Sequence, residues 1–226
     1  MEPAGFWRRE AAWTLDAAVV AVPALVLAAP GVDRRLARLD AAAGRLAERL
    51  AQLMIEGLAS GASPLAMARA WVRAPALHAA MGDLQASLWA LAWPPLAAFA
   101  VLWLAWSVGF ESSRWQATPG KRVLGLRVVD AAGHRPAPLR ILWRHLCGAL
   151  SWLTLNLGHA MAALPPAHRS LHDLASATRV ERAGADVPLP PWARAWIALQ
   201  VGGLLAAQAW AVVALQARML AAFAAA

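Results

Sequence analysis

Charge, lysine and cysteine are all scarce in this chain, and each scarcity closes off a class of protein. Acids and bases make up 15% of the residues, against about 25% in a soluble domain. Cys147 is the only cysteine and sits inside an apolar run, which excludes an internal disulfide and any two-cysteine redox motif. Lys121 is the only lysine among 21 basic residues. Thr118-Pro119-Gly120-Lys121 lacks the glycine-rich run and following Ser or Thr of a phosphate loop, and it reads as a tight turn opening a strand. Ser, His and Asp occur in no nucleophile motif, and no His, Cys and acid share a helix face at ligand spacing. The expectation is a protein that is not an enzyme, with no catalytic residue, cofactor or metal.

Apolar residues are what the chain has in excess. They make up 60% of it, above the roughly 45–50% of soluble domains. A core of this size cannot bury that much surface, so lipid must cover the remainder. The net charge of +8 could point to nucleic acid, but the arginines flank apolar runs as the positive-inside rule expects of a membrane protein. Nucleic acid is therefore excluded as a partner, and the bilayer is the first one expected.

Charges divide the sequence into four apolar stretches, Glu10–Asp33, Asp83–Glu111, Arg144–Arg169 and Arg194–Arg218. Each has the roughly 20 residues needed to cross a hydrocarbon core of about 30 Å. Asp16 interrupts the first, which speaks against a cleaved signal peptide and for a retained helix. Trp89 and Trp93 near one end of the second, with Trp103 and Trp106 near the other, fit two aromatic belts. The segment Gly31–Gln85 differs. Leu36, Leu39, Leu46, Leu50 and Leu53 recur at helical spacing among charges, which predicts an amphipathic helix too polar to span. A break at Gly57–Pro64 and a second helix over Leu65–Met81 follow. These helices either lie on the bilayer surface or pack over the bundle.

The loop Glu111–Arg140 is the most basic and is expected in the cytoplasm, together with the N-terminus. Within it Arg122–Asp130 reads as a strand, with Thr178-Arg179-Val180 as its partner. The third stretch carries basic residues on both flanks. Two readings stay open: a re-entrant helix bent at Asn156-Leu157-Gly158, or a plain crossing.

Three blocks then resemble the RDD family of membrane proteins: GFWRREAAWTLDAAVV (Gly5–Val20), TPGKRVLGLRVVDAAGHRPAPLRILWRHL (Thr118–Leu146) and HRSLHDLASATRV (His168–Val180). His145, where an Asn commonly follows the arginine, and Ala167-His168, in place of a more basic pair, depart from the pattern. The resemblance carries the family's Arg-Asp-Asp signature onto Arg9, Asp16 and Asp173. It implies an RDD-type membrane domain over residues 5–181, interrupted by an amphipathic helical insertion at 31–86 and followed by an additional transmembrane helix at 187–226. It also implies a bacterial inner (plasma) membrane location and transport of a small solute, or exchange of cations for protons. The alternative is a non-catalytic scaffold or assembly factor.

Asp16 is the sharpest feature on physical grounds, because a carboxylate near a helix centre costs about 2.5–3.5 kcal/mol to insert. Arg9 lies two turns earlier on the same face. Asp16 is then either a proton or cation site gated by an arginine, or half of a structural ion pair. Arg9, Arg144, Asp16 and Asp173 could form one polar cluster. His172 either shuttles protons beside it or, with Asp173, caps a helix before the strand. The fold expected is an all-α membrane protein with three to four transmembrane helices, amphipathic helices and a short cytoplasmic strand pair. So few helices would need a homo-oligomer to transport.

Overall fold

The computed structural model describes residues 2–153, 157–164, 168–182 and 188–225. The chain opens with a two-residue strand β1 (Glu2–Pro3), then α1 (Phe6–Ala28), α2 (Val32–Ala59), α3 (Pro64–Arg73) and α4 (Pro75–Glu111). It continues through a short α5 (Pro119–Val123), β2 (Leu126–Asp130) and α6 (Pro138–Leu153). The brief helices α7 (Leu157–Ala160) and α8 (Leu171–Ala175), strand β3 (Thr178–Arg182) and α9 (Pro191–Ala225) complete it.

Three of these helices, α1, α4 and α9, are long and apolar enough to cross a membrane. At 1.5 Å per residue the shortest of them, α1, reaches about 34 Å. Val19, Val22, Leu25, Val26 and Leu27 of α1 are each more than half exposed, as are Leu199, Leu204, Leu205 and Trp210 of α9. Only lipid can cover such surfaces, and this is a membrane protein. Pro23 in α1 and Pro94-Pro95 in α4 lie inside continuous helix, as spans tolerate.

Among the described residues the spans number three, at the lower end of the expected range. The third apolar stretch supplies α6, whose 16 described residues cover about 24 Å. Of the bend expected at Asn156-Leu157-Gly158, Asn156 lies outside the described residues, and Leu157 and Gly158 open α7. Strand pairing bears on the same stretch. β2 and β3 are antiparallel neighbours with Val128 opposite Val180, and β1 joins the far edge of β3. The chain between β2 and β3 therefore begins and ends at one sheet, which a plain single crossing would not allow.

The chain divides into two compact units. The first comprises Met1–Val26 and Ala97–Leu199. Its core gathers Ala4, Ala11 and Ala12, Leu124, Leu126 and Val128, Ile141, Val180 and Ala193. Trp13 meets Trp103 edge-on at 5.6 Å, and the Trp196 indole donates to the Thr14 hydroxyl at 3.0 Å, so α4 and α9 both pack on α1. Trp103 and Trp106, read from sequence as part of an aromatic belt, thus face α1; Trp89 and Trp93 are exposed.

The second unit comprises Leu27–Leu96 and Gln200–Ala226. Here the amphipathic pattern of α2 finds partners: Leu46 packs with Leu77 and Ala80, with Leu50, Leu53, Trp71 and Leu84 around them. The helix expected over Leu65–Met81 is in fact two. Pro75 keeps the preceding Ala74 extended, at φ −77° and ψ 106°, which ends α3 and lets Pro75 open α4.

The strand expected at Arg122–Asp130 is also shorter. Pro119 starts a helical turn, and Gly125, at φ +68°, reverses the chain before β2.

A buried charge network at the ends of two spans

Arg9 lies one turn inside α1, and Asp173 lies in the first turn of α8. The loop before α8 brings them together: Arg9 Nη1 donates to Asp173 Oδ2 at 2.6 Å. Arg9 also donates to the carbonyls of Ala4 at 2.9 Å and His168 at 2.6 Å. His168 adopts φ +46° to present that carbonyl, a left-handed conformation that non-glycine residues take only under constraint.

Asp173 is completely buried. Its Oδ1 accepts from Nη1 of Arg144, on α6, while the Ser170 N–H donates to Oδ2 at 2.9 Å as a helix cap. The two sequence readings of this residue, cap and cluster member, are therefore combined in one carboxylate. Burial alone would raise the Asp173 carboxyl, but the guanidiniums of Arg144 and Arg9 outweigh it and hold the group far below the usual carboxylate range.

Arg144, itself buried, reaches further. Nη1 also donates to Thr178 Oγ1 at 2.7 Å, and Nε lies 3.7 Å from Glu111 Oε2. Glu111 is the last residue of α4 and is fully buried. Lys121 of α5 donates to its Oε1, and His145 Nε2 lies 3.2 Å from its Oε2. Three permanent cations and two carboxylates thus form one chain, Arg9–Asp173–Arg144–Glu111–Lys121.

His172 sits at its edge, with Nε2 2.9 Å from Ser170 Oγ and its ring 4.9 Å from that of His159. Burial first, and then the Arg144 charge, push His172 well below the usual histidine range.

Asp16 is placed elsewhere. No arginine pairs with it among the described residues. Thr118 Oγ1 donates to it at 2.5 Å, the Gly120 N–H at 2.8 Å and the Trp106 indole at 3.3 Å. The expected joint cluster of Asp16 with Arg9 and Arg144 is corrected by simple geometry. Seven residues of helix separate Arg9 and Asp16 by about 10 Å, and Arg9 turns toward α8 while α5 fills the space beside Asp16. Gly120 makes that approach feasible, since a Cβ there would fall 2.8 Å from Asp16 Oδ2.

Sequence reasoning joined Arg9, Arg144, Asp173 and His172 as candidates but missed Glu111, His145, Thr118 and Gly120 as participants. A signal existed for Glu111, an acid that ends an apolar run and is followed by the basic TPGK block. Among the described residues no group of three or more His, Cys, Asp or Glu is arranged to hold a metal.

Comparison with known proteins gives one result. The RDD family profile matches residues 3–177, well over half of the chain. No curated protein and no solved structure matched. The family match takes in α1 with Arg9 and Asp16, the α5–β2 block around Thr118, Gly120 and Lys121, α6 with Arg144, and α8 with Asp173. With three apolar spans and this charge network, the chain belongs to the RDD family of membrane proteins.

Proposed function

We propose that the protein transports a small solute or exchanges cations for protons across the membrane, with Asp16 as the carboxylate that meets the ion. One observation carries this reading. Asp16 lies on a span, is 1% exposed, and among the described residues is held by neutral donors alone. A buried carboxylate with no cationic partner retains a charge that a proton or a metal cation can neutralise. Asp173 and Glu111 are already matched by arginine and lysine and serve as the fixed frame.

The reading includes a bacterial inner membrane location with the sheet, and so the N-terminus, on the cytoplasmic side. Arg114, Lys121, Arg122, Arg127, Arg135 and Arg140 all belong to the loop that leads through β2 to α6, as the positive-inside rule asks of a cytoplasmic segment. It also includes a homo-oligomer, because three spans enclose little pathway, and a protein that is not an enzyme.

A second reading, a membrane scaffold, is favoured by the buried Arg9–Asp173–Arg144–Glu111–Lys121 chain, which joins several elements and suits a rigid platform. Liposomes holding the full chain, with interior pH and sodium followed together, separate the two. Proton-coupled flux by the native chain that disappears in a folded Asp16→Asn variant supports exchange through Asp16. Flux unchanged in that variant removes Asp16 from the mechanism, and no flux by the native chain favours the scaffold.

A further inference from the structure

Helix α6 has two faces of opposite character. Ile141, Arg144, Cys147 and Ser151 are buried. On the other side Leu139 is 75% exposed, Trp143 55% and Leu146 48%. At about 100° per residue these three fall within an arc of roughly 60°, and Arg140, also exposed, borders it one turn before Trp143. Nothing among the described residues covers the stripe.

The level at which this helix lies is fixed by the charge network. Glu111 is the terminal residue of span α4, and its carboxylate meets Arg144 and His145 of α6. Arg9, at the start of span α1, meets the same Asp173 that Arg144 binds. α6 therefore crosses the protein where two spans end, at the depth of lipid headgroups. It does not make a single crossing, because the chain on both its sides returns to the sheet.

We propose that α6 is an interfacial helix that lies in the plane of the membrane, its Leu139-Trp143-Leu146 face sunk into the acyl boundary and its arginine edge holding anionic lipid headgroups. The occupant follows from charge and continuity. A Leu-Trp-Leu stripe edged by arginine suits the headgroup–acyl boundary. Arg114, Arg122 and Arg140 form no ion pair among the described residues, and Arg122 stacks over Trp115 at 4.4 Å; the only acids of this loop are Glu111, which is buried, and Asp130. A protein partner would have to fit a surface that the bilayer already reaches from the ends of α1 and α4. The inference does not depend on transport.

The test uses the full chain in a Cys147→Ala background, spin-labelled in turn through Leu139→Cys and Leu146→Cys. Vesicles are phosphatidylcholine alone or phosphatidylcholine with phosphatidylglycerol. Oxygen and a water-soluble nickel chelate serve as relaxation probes. Both labels should be accessible to oxygen and shielded from nickel at a shallow depth, and should sink further when phosphatidylglycerol is present. That added depth should disappear with Arg140→Glu and survive with Arg140→Lys. Ready access to nickel would overturn the proposal, as would a mid-bilayer depth, which marks a re-entrant segment, or shielding from both probes, which marks a protein contact. Equal depth in the two lipid mixtures would overturn its anionic part. A label at exposed Ala131 serves as the folded, water-accessible control.

Discussion

Replacing Asp173 with asparagine removes one negative charge and leaves Arg9 and Arg144 facing each other across its place. Breaking a buried pair in this way costs about 3–5 kcal/mol, and here two cations lose their partner. Asp173→Asn should therefore lower the melting temperature in detergent far more than Asp16→Asn does. Among the described residues Asp16 has only neutral donors, and its loss costs about 1–3 kcal/mol. Equal losses would mean that Asp16 has a charged partner. His172 adds a pH dependence of known sign. Its folded pKa lies below the usual value of about 6.5, so as pH falls below that value the unfolded chain binds a proton that the folded chain refuses. Stability should fall between about pH 6.5 and pH 5, and His172→Gln should flatten that slope. It should not abolish it, because burial pushes His159 in the same direction. Asp173 stays ionised through this window, since its pKa is held far lower, and contributes no slope there. A native chain whose stability is flat over this range would contradict a His172 held below the usual histidine range.

The elements differ in how plainly the sequence announces them. α1, α4 and α9 follow from long charge-free runs, and α2 from its leucine spacing, because hydrophobic periodicity is a local signal. The β2–β3 pair is local too, with valines bounded by turns. The extra strand β1 is not, since Glu2 and Pro3 carry no strand pattern and pair only because β3 offers an edge. The division at Pro75 was visible as a proline, yet an apolar run on both sides of it reads equally well as one helix. α5 shows the limit best. Thr118-Pro119-Gly120-Lys121 reads as a turn, but its purpose lies in a partner 104 positions away, where the Gly120 N–H meets Asp16. The candidate residues Arg9, Arg144 and Asp173 were legible because each is an ionised group in an apolar setting. How they pair was not, since Arg9 could reach either acid and only tertiary contacts choose. Gly120→Ala tests the close approach of α5. The added methyl must push Asp16 or the Ala12 backbone aside, a strain of about 1–3 kcal/mol. The variant should melt lower than native while Gly109→Ala, where a Cβ meets nothing within 4 Å, should not. Equal melting of the two would show that α5 does not press on α1.

For the whole molecule the consequence is a one-sided assembly. The start of α1, the end of α4 and the start of α9 all lie in the unit that contains the three-stranded sheet, and the Arg9–Asp173–Arg144–Glu111–Lys121 chain ties the first two of them to α5, α6 and α8. Such an arrangement requires the segments on both sides of α6 to occupy one face of the membrane, whatever the protein carries and whichever face that is. The measurement that bears on this most directly is thiol labelling of the full chain in sealed vesicles, in a Cys147→Ala background, with single cysteines at exposed Ala131 after β2 and exposed Ala175 before β3. A membrane-impermeant reagent should reach both from the same side and neither from the other. Labelling of the two from opposite sides would break the strand pair, separate Arg144 from Asp173 and contradict the account.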